Sequence, residues 1–282
     1  MGAIEDFSSE AISIERDEGV GTLWLDRPEK RNAMNPALWN GLVDGLGALQ
    51  ADGETRVIVL AGRGHSFCVG LDLAMLQAGG SSGESFAGPK SGATMNLRQL
   101  EMTKSIQRAI TTLAKTSVPV IAAIHGWCIG GGLDIVTACD IRLASADALF
   151  GIRETKIGIV ADVGTLQRLP KIVTAGHVAE LAYTGKDIDA KRAEQIGLVN
   201  GVFSDLEATY RAAREMAREI AANAPLAVRG TKFVLEQGEE LTTDQSLLLN
   251  GIWTMITTLN SNDLQEAMKS FVEKRPPEFT GS

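Results

Sequence analysis

The sequence predicts an α/β fold with a helical C-terminal region. The chain of 282 residues is 44% hydrophobic, which is enough to bury a large core. Strand-like and helix-like segments alternate through residues 1–204, the pattern expected of α/β proteins. Beyond residue 204, one helical segment follows another. We therefore expect an α/β body at 1–204 and a helical region at 205–282.

Short apolar segments carry the strand predictions. Residues 19–25, GVGTLWL, alternate as a half-buried strand does, while RVIVLAG at 56–62 and VPVIAAIHG at 118–126 are typical of buried strands. The segment NPALWNGLVDGLGALQ lies between the first two strands and predicts a helix, with Asn35 as N-cap and Pro36 at its first position. The order is therefore strand, helix, strand.

A second helix is predicted around residues 97–113, leading into the strand at 118. The stretch 78–94 before it is interrupted by glycines. It is long enough to form a mobile lid, and a disordered connector fits equally well.

Composition excludes several classes of function. A net charge of −8 argues against a general nucleic-acid or anionic-membrane binder, and no run of 18 apolar residues is present to span a bilayer. The cysteines at 68, 128 and 139 lack the spacing of metal ligands, and we expect them to be buried and reduced. The acidic first 19 residues lack the features of a signal peptide, so we expect a cytoplasmic protein. We expect no metal site, because the cysteines and histidines lack the spacing of metal ligands.

Two glycine-containing segments are candidates for binding a negatively charged oxygen. In HSFCVGLD at 65–72, Gly70 permits a sharp turn that leaves the N–H of Leu71 pointing outward. In HGWCIGGGLDIVTACD at 125–140, three glycines open a helix, whose first N–H groups lack partners. The Lys-Ser/Thr of a phosphate loop is missing after them, and close helix packing remains an alternative reason for the glycines.

Three acids follow these glycines. Asp134 comes one helical turn after Gly131, where it either faces the same site or complements the helix dipole. Glu154 and Asp162 stand among apolar residues in FGIRETKIGIVADVGTLQRLP, which is unusual for acids without a partner or a function. For Asp162 the alternative is an N-cap of a helix starting near Gly164. No role is assigned to the three histidines, His65, His125 and His177.

At these residues the chain resembles the crotonase, or enoyl-CoA hydratase/isomerase, family. The matching segments, in family order, are LDRPEKRNAMN at 25–35, FCVGLD at 67–72, AIHGWCIGGGLDIVTACDIRLAS at 123–145 and the segment 150–170. The resemblance covers nearly the whole chain. It implies a spiral of ββα units with a C-terminal helical region that builds trimers, and usually dimers of trimers.

The resemblance also implies roles for individual residues. The N–H groups of Leu71 and Gly131 would form an oxyanion hole for a thioester carbonyl. Coenzyme A would be held, partly through the backbone, by Lys30, Arg31, Asn32, Ala33 and Asp72. A phosphate of an adjacent subunit would be within reach of Lys274 or Arg275. Ala74 departs from the lysine of many relatives, and no cofactor beyond the CoA moiety of the substrate is implied.

The three acids resemble those of the Δ3,5-Δ2,4-dienoyl-CoA isomerases within this family. By that resemblance Asp162 would take a proton from C2, Glu154 would deliver one to C6, and Asp134 would orient or tune the pair, in fatty-acid β-oxidation. Hydratases have glutamates at the positions of Asp134 and Glu154, so an enoyl-CoA hydratase is the alternative. A non-catalytic CoA-binding or RNA-binding relative is a further alternative, whereas a ClpP-type protease lacks its serine and histidine setting here.

Overall fold

A computed structural model describes residues 9–51, 53–72, 74 and 92–282. The predicted lid or connector at 78–94 therefore lies largely outside the described residues. The strands are β1 Ile12–Asp17, β2 Val20–Leu25, β3 Val57–Gly62, β4 Val120–Ile124, β5 Trp127–Ile129, β6 Ile141–Ser145, β7 Leu149–Gly151, β8 Asp187–Asp189 and β9 Gly201–Phe203.

The helices begin and end close to the predicted positions. They are α1 Pro36–Gln50, α2 Gly92–Ala114, α3 Gly131–Thr137, α4 Thr165–Arg168, α5 Ala175–Thr184, α6 Ala190–Gln195, α7 Leu206–Ala221, α8 Pro225–Gly238, α9 Thr243–Trp253 and α10 Asn262–Glu273. Asn35 caps α1 as predicted, because its side chain accepts the N–H of Leu38 at 2.9 Å and Pro36 follows it.

The strands of the described chain form two sheets. The larger has the order β1-β2-β3-β4-β6-β9, in which β1 is antiparallel to β2 and every later pair is parallel. The smaller sheet has the order β5-β7-β8. All six residues of β3 are buried, as expected for a parallel strand covered on both faces.

Helices cover both faces of the large sheet. On one face α1 buries its leucines against β1, β2 and β3, together with the C-terminal half of α2. On the other face α7 packs with Ala213, Ala217 and Ala221, and these small side chains let the helix axis approach the sheet closely. Trp24 of β2 meets Tyr210 of α7 there, with ring centroids 5.0 Å apart. The two-sided core makes the sheet a rigid support for the loops at its end.

Between residues 206 and 273 the regular elements are all helical. Many large apolar side chains stay exposed on α9, α10 and the π-helical turn Thr254–Thr258 that follows α9, among them Leu248, Ile256, Phe271 and Val272. In the part of the chain that the structure describes, no helix is long and apolar enough to cross a membrane.

Candidate active site

The two glycine segments meet side by side at the end of the sheets. Cys68 donates its N–H to the carbonyl of Trp127 at 2.9 Å and its carbonyl accepts the N–H of Ile129 at 3.1 Å, so residues 67–70 run parallel to β5. Gly70 has a φ of +85°, and a Cβ added to it would lie 3.1 Å from the nitrogen of Gly131. Only glycine combines this conformation with such a close approach.

This junction brings together the N–H groups of Leu71 and Gly131. The carbonyl of Gly70 accepts the N–H of Met34 at 2.7 Å, and Asp72 donates its N–H to the carbonyl of Met34 at 2.9 Å, so the bridge between Met34 and Leu71 does not use the N–H of Leu71. Within the described ranges, neither the Leu71 N–H nor the Gly131 N–H donates to another protein group. Two adjacent backbone donors are therefore available to a ligand oxygen.

Close packing, the alternative reason for the glycines, also holds for two of them. A Cβ on Gly132 would lie 2.5 Å from the carbonyl oxygen of Cys68, and a Cβ on Gly131 would overlap the sulfur of Met34. Gly130, with a φ of +53°, instead faces the carboxyl group of Glu154. The glycine run therefore packs the helix α3 and shapes the site at the same time.

Asp134 is buried one turn into α3, with 1% of its surface exposed. Its Oδ1 accepts two hydrogen bonds from Thr165, one from the backbone N–H at 2.6 Å and one from the hydroxyl at 2.7 Å. Burial raises the pKa of Asp134 above 3.8, while the two Thr165 hydrogen bonds and the charge of Arg168 act in the opposite direction. The contact joins α3 to the segment that carries the other two acids.

Glu154 places its carboxyl group against the glycine junction. It starts the 3-10 turn Glu154–Ile157, and its Oε1 would lie 3.3 Å from a Cβ on Gly130. Its Oε2 is buried and has no hydrogen-bond partner among the described residues. Burial is the main cause that raises the pKa of Glu154 above 4.5, and the charges of Asp134 and Asp162 raise it further. A carboxyl group in this setting favours its protonated form.

Asp162 differs from the other two acids because it is exposed. The apolar neighbours Ile159 and Val160 are also exposed, at 42% and 70%, so the local sequence does not indicate burial. The N-cap alternative for Asp162 is wrong, because Gly164 occupies the N-cap of α4 without a side-chain bond. Asp162 acts on Asp134 and Glu154 through its charge, which raises the pKa of both.

A cavity of about 1250 Å³ lies between α2, α4 and α8, and Asp162 and Arg168 are part of its lining. Leu71, Gly131 and Glu154 do not line it. Asp162 is therefore the member of the candidate site that borders this cavity, and the oxyanion donors lie outside its lining.

The predicted CoA segment runs beside Leu71. Arg31 and Asn32 are both left-handed, with φ of 52° and 55°, and Met34 forms a β-bridge with Leu71. The Asn32 side chain is fully buried, donates to the carbonyls of Arg63 and Ser66 at 3.0 and 2.8 Å, and accepts the N–H of Arg27. That side chain shapes the loop and is not directed at a ligand.

The other residues predicted to hold coenzyme A differ in their exposure to solvent. Lys30 and Arg31 are exposed, whereas Ala33 is buried and its carbonyl accepts a hydrogen bond from Arg27 at 2.6 Å. Asp72 pairs with Arg27 at 3.4 Å and accepts the N–H of the exposed Ala74 at 3.2 Å. Two exposed cations thus flank the loop that leads to Leu71.

At the other end of the chain, Arg275 forms ion pairs with Glu266 and Glu273 of its own chain, and its neighbour Lys274 caps the end of α10. Arg275 is therefore already engaged by two carboxylates.

Sequence reasoning missed Thr165 and Arg168. Thr165 opens α4 directly after Gly164, and Arg168 lies over that glycine so closely that a Cβ on Gly164 would overlap its guanidinium. The available signal was indirect: a buried Asp134 needs donors. The donors to its carboxylate come from a residue 31 positions later in the chain, so only the fold identifies them.

These features define a crotonase-fold enzyme, and the comparison with known families agrees. The chain belongs to the enoyl-CoA hydratase/isomerase family, whose profile matches residues 15–282. Among solved structures, the enoyl-CoA hydratase from Bacillus anthracis superimposes with a TM-score of 0.86 at 30% identity, covering 97% of this chain and 100% of that one. The enoyl-CoA hydratase from Mycobacterium tuberculosis H37Rv gives a TM-score of 0.80 at 32% identity, covering 96% and 99%. The expected crotonase fold is confirmed.

Curated relatives carry a more specific name. The mitochondrial Δ3,5-Δ2,4-dienoyl-CoA isomerase of Dictyostelium discoideum is 43% identical over 270 residues, which are 95% of this chain and 90% of that protein. The peroxisomal protein of the same name from Arabidopsis thaliana is 39% identical, with 96% of both chains covered. The mitochondrial one of Mus musculus is 38% identical, over 96% of this chain and 82% of the relative.

Proposed function

We propose that this protein converts 3,5-dienoyl-CoA into 2,4-dienoyl-CoA. The N–H groups of Leu71 and Gly131 polarise the thioester carbonyl, Asp162 removes a proton from C2, and Glu154 delivers a proton to C6. Each oxyanion donor of this kind contributes about 3 kcal/mol to transition-state stabilisation in comparable sites. The similarity to three curated isomerases supports this choice within the family.

The observation that supports the proposal most directly is the burial of Asp134 and its hydrogen bonding to Thr165. In a hydratase, an acid at this position would help to hold a water molecule. Here the carboxylate is 1% exposed, and one of its oxygens is engaged twice by Thr165. Asp134 is therefore poorly placed to orient a water, which favours proton shuttling by Glu154 and Asp162 over hydration.

The reaction balances without any added reagent. Breaking the C2–H bond gives its proton to Asp162 and leaves a trienolate whose oxygen lies between the two N–H groups. The electron pair returns from that oxygen, the double bonds shift to C2=C3 and C4=C5, and a new C6–H bond takes the proton of Glu154. Burial, together with the charges of Asp134 and Asp162, raises the pKa of Glu154, which suits that residue to the role of proton donor. Asp162, which is exposed, then releases its proton to solvent, and Glu154 takes one up from solvent, so both residues return to their starting states.

Substrate binding and assembly are part of the same proposal. Exposed Lys30 and Arg31 suit the phosphates of coenzyme A, with Asn32, Ala33 and Asp72 setting the loop. The exposed apolar side chains of α9 and α10 support a trimer or a dimer of trimers. A cytoplasmic location stays a prediction, since the names of the relatives place those proteins in mitochondria and peroxisomes.

Ultraviolet spectroscopy tests the activity directly. Purified protein is mixed with 3,5-dienoyl-CoA, and the growth of the 2,4-dienoyl thioester band is followed for the wild type and for Asp162→Asn. We expect turnover by the wild type and a loss of about 10²-fold or more in the variant, as for removal of a general base. Because Asp162 is exposed and does not cap α4, the variant should keep its folding stability.

A parallel assay with 2-enoyl-CoA distinguishes the hydratase alternative. Rapid hydration of that substrate, with 3,5-dienoyl-CoA unchanged, would overturn the proposal. Asp189→Asn serves as the matched control for Asp162→Asn, because it also neutralises an exposed acid, in this case the N-cap of α6. It should leave the turnover of 3,5-dienoyl-CoA unchanged.

A further inference from the structure

Thr165 is the link between the two halves of the candidate site. Its two donors reach Asp134 from a residue 31 positions later in the chain, and both bonds end on the same oxygen at 2.6 and 2.7 Å. Thr165 is 1% exposed, so water does not compete for these bonds. α3 carries Gly131 and Asp134, whereas the segment that ends at Thr165 carries Glu154 and Asp162.

The surroundings of Thr165 are built to keep it in place. Gly164 precedes it with a φ of +133°, a conformation that suits glycine. Arg168 folds back over Gly164 and donates to the carbonyl of Val163 at 3.5 Å and to the hydroxyl of Thr111 in α2 at 3.1 Å. Gln107 of α2 also donates to the carbonyl of Asp162 at 2.6 Å. The helix α2 thus holds both ends of the turn between Asp162 and Thr165.

We propose that Thr165 is a positioning residue of the reaction, which stabilises the charged form of the Asp134 carboxylate, so that Glu154 keeps the proton it donates. This proposal rests on the proposed isomerase function and assigns Thr165 a part in it. Thr165 does not touch the reacting atoms. It acts through Asp134.

Several groups shift the pKa of Asp134, and the charge of Asp134 in turn shifts the pKa of Glu154. Burial raises the pKa of Asp134, and the Thr165 bonds oppose that rise. The other groups that act on Asp134 are Arg168, which favours its charged form, and Asp162, which disfavours it. The thiols of Cys68 and Cys128 also lie within its electrostatic reach. Glu154 in turn responds to the charges of Asp134 and Asp162. Without the hydroxyl of Thr165, Asp134 binds a proton more readily, and its effect on Glu154 becomes weaker.

The pH dependence of turnover tests this chain of effects. Turnover requires protonated Glu154, so kcat falls on the alkaline side as Glu154 loses its proton. In Thr165→Val, which removes the hydroxyl donor and keeps the backbone donor, we expect this alkaline limb to move to lower pH by about half a unit or more. Thr165→Ser keeps a hydroxyl and should restore the limb of the wild type.

Thr137 provides a matched control. It is also a buried threonine, 6% exposed, and its hydroxyl donates at 3.0 Å to the backbone carbonyl of Asp134, not to the carboxylate. Thr137→Val therefore removes a hydroxyl of the same kind without touching the Asp134 charge. We expect its alkaline limb to stay in place. A uniform loss of kcat in Thr165→Val with an unmoved limb would show a merely structural role and overturn the proposal.

A measurement without turnover separates this proposal from the isomerase function. In protein labelled with ¹³C at glutamate carboxyl groups, NMR follows the titration of Glu154, whose signal is identified by its absence in Glu154→Gln. We expect Glu154 to titrate at lower pH in Thr165→Val than in the wild type, whether or not 3,5-dienoyl-CoA is a substrate. If the wild type fails to isomerise while this shift is present, the function is wrong and the electrostatic link stands.

A double-mutant cycle completes the test. In Asp134→Asn the carboxylate is already neutral, so adding Thr165→Val should move the Glu154 titration no further. An additional shift in the double variant would show that Thr165 acts on Glu154 by another route, and would overturn the proposal. If Thr165→Val does not fold, Thr165→Ala takes its place in the cycle, because it also removes the hydroxyl donor, and Asp134→Asn alone must still lower the pH at which Glu154 titrates.

Discussion

Two regions of the molecule differ in whether their charged groups have partners. The first contains Asp140, which follows the end of α3. Asp140 accepts the N–H of Val120 at 2.7 Å and pairs at 2.7 Å with Lys232, which is itself 7% exposed. Lys232 also donates to the hydroxyl of Thr116 at 3.1 Å and the carbonyl of Val118 at 3.0 Å. All three donors of its ammonium group are used.

The second region surrounds Glu154, and there the carboxyl group lacks a comparable set of partners. Its Oε2 is buried without a partner among the described residues, and the charges that act on it from Asp134 and Asp162 have the same sign as its own. A buried polar atom left without a partner costs about 1–3 kcal/mol. Folding alone would not retain such a group, whereas a proton donor needs it. The Lys232 cluster therefore ties α8 to the sheet, whereas Glu154, whose Oε2 has no partner among the described residues, is the residue that we propose as proton donor.

The largest effect is expected at the glycine junction. Gly70→Ala would place a Cβ 3.0 Å from the carbonyl of Ile129 and 3.1 Å from the nitrogen of Gly131, at a φ of +85°. The two oxyanion donors would separate, and we expect kcat/KM to fall about 10²- to 10³-fold, as for loss of one donor. Gly53→Ala has a similar φ of +74° with nothing within 4 Å, so it should keep its turnover. Equal losses in both variants would mean that backbone strain, not the junction, is responsible.

Glu154→Gln comes next. Removing a proton donor should lower kcat for 3,5-dienoyl-CoA about 10²-fold. The same change removes a buried acid that has an unpartnered oxygen, so the free energy of unfolding should stay the same or rise. Steady-state kinetics and urea unfolding on the same preparation check both statements. A clear loss in the free energy of unfolding would show that Glu154 stabilises the fold, as Lys232 does, and would contradict this expectation.

Lys232→Met should show the reverse pattern. It removes three hydrogen bonds of a buried ammonium group, and we expect a loss of about 2 kcal/mol in the free energy of unfolding, with unchanged turnover per folded molecule. Lys171→Met is the matched control, since Lys171 pairs with Glu239 at the end of the same helix α8, but both side chains are about half exposed. That loss should stay below about 0.5 kcal/mol. Comparable losses in the two variants would contradict the assignment of a structural cluster to Lys232.

Regular elements of the fold could be predicted where a local pattern reports them. α1 was predicted with its cap, because Asn35 and Pro36 act within one turn, and β3 and β4 follow from continuous apolar runs. β1 was missed because ISIERD is half polar, and it pairs with β2 only as an edge strand. Three-residue strands such as β5 are too short to show a period.

The features of the candidate site also differ in whether the sequence could predict them. The glycines at 70 and 131 were predicted to meet an anion from their residue type and position, and the structure brings them together. Asp162 was expected to lie in apolar surroundings, yet it is exposed, as are Ile159 and Val160, whereas its neighbour Ala161 is buried. The bond between Asp134 and Thr165 spans 31 residues and two elements, so it depends on the tertiary fold and has no local signal.

The smallest effect is a pH dependence of stability that separates the two regions. The pKa of Glu154 is raised above 4.5 in the folded protein, so the native state binds its proton more tightly than the unfolded state does. The resulting stability is fully present below pH 4.5 and is lost as the pH rises through the folded pKa. Urea unfolding of the wild type and of Glu154→Gln between about pH 4.5 and 8 should therefore give curves that diverge with pH, the variant gaining relative to the wild type. Lys232→Met should instead lower the stability at every pH in this range, because its three hydrogen bonds are lost. A constant difference between Glu154→Gln and the wild type would show that Glu154 is ionised in the folded protein at every pH tested, and would remove its claim to be the proton donor.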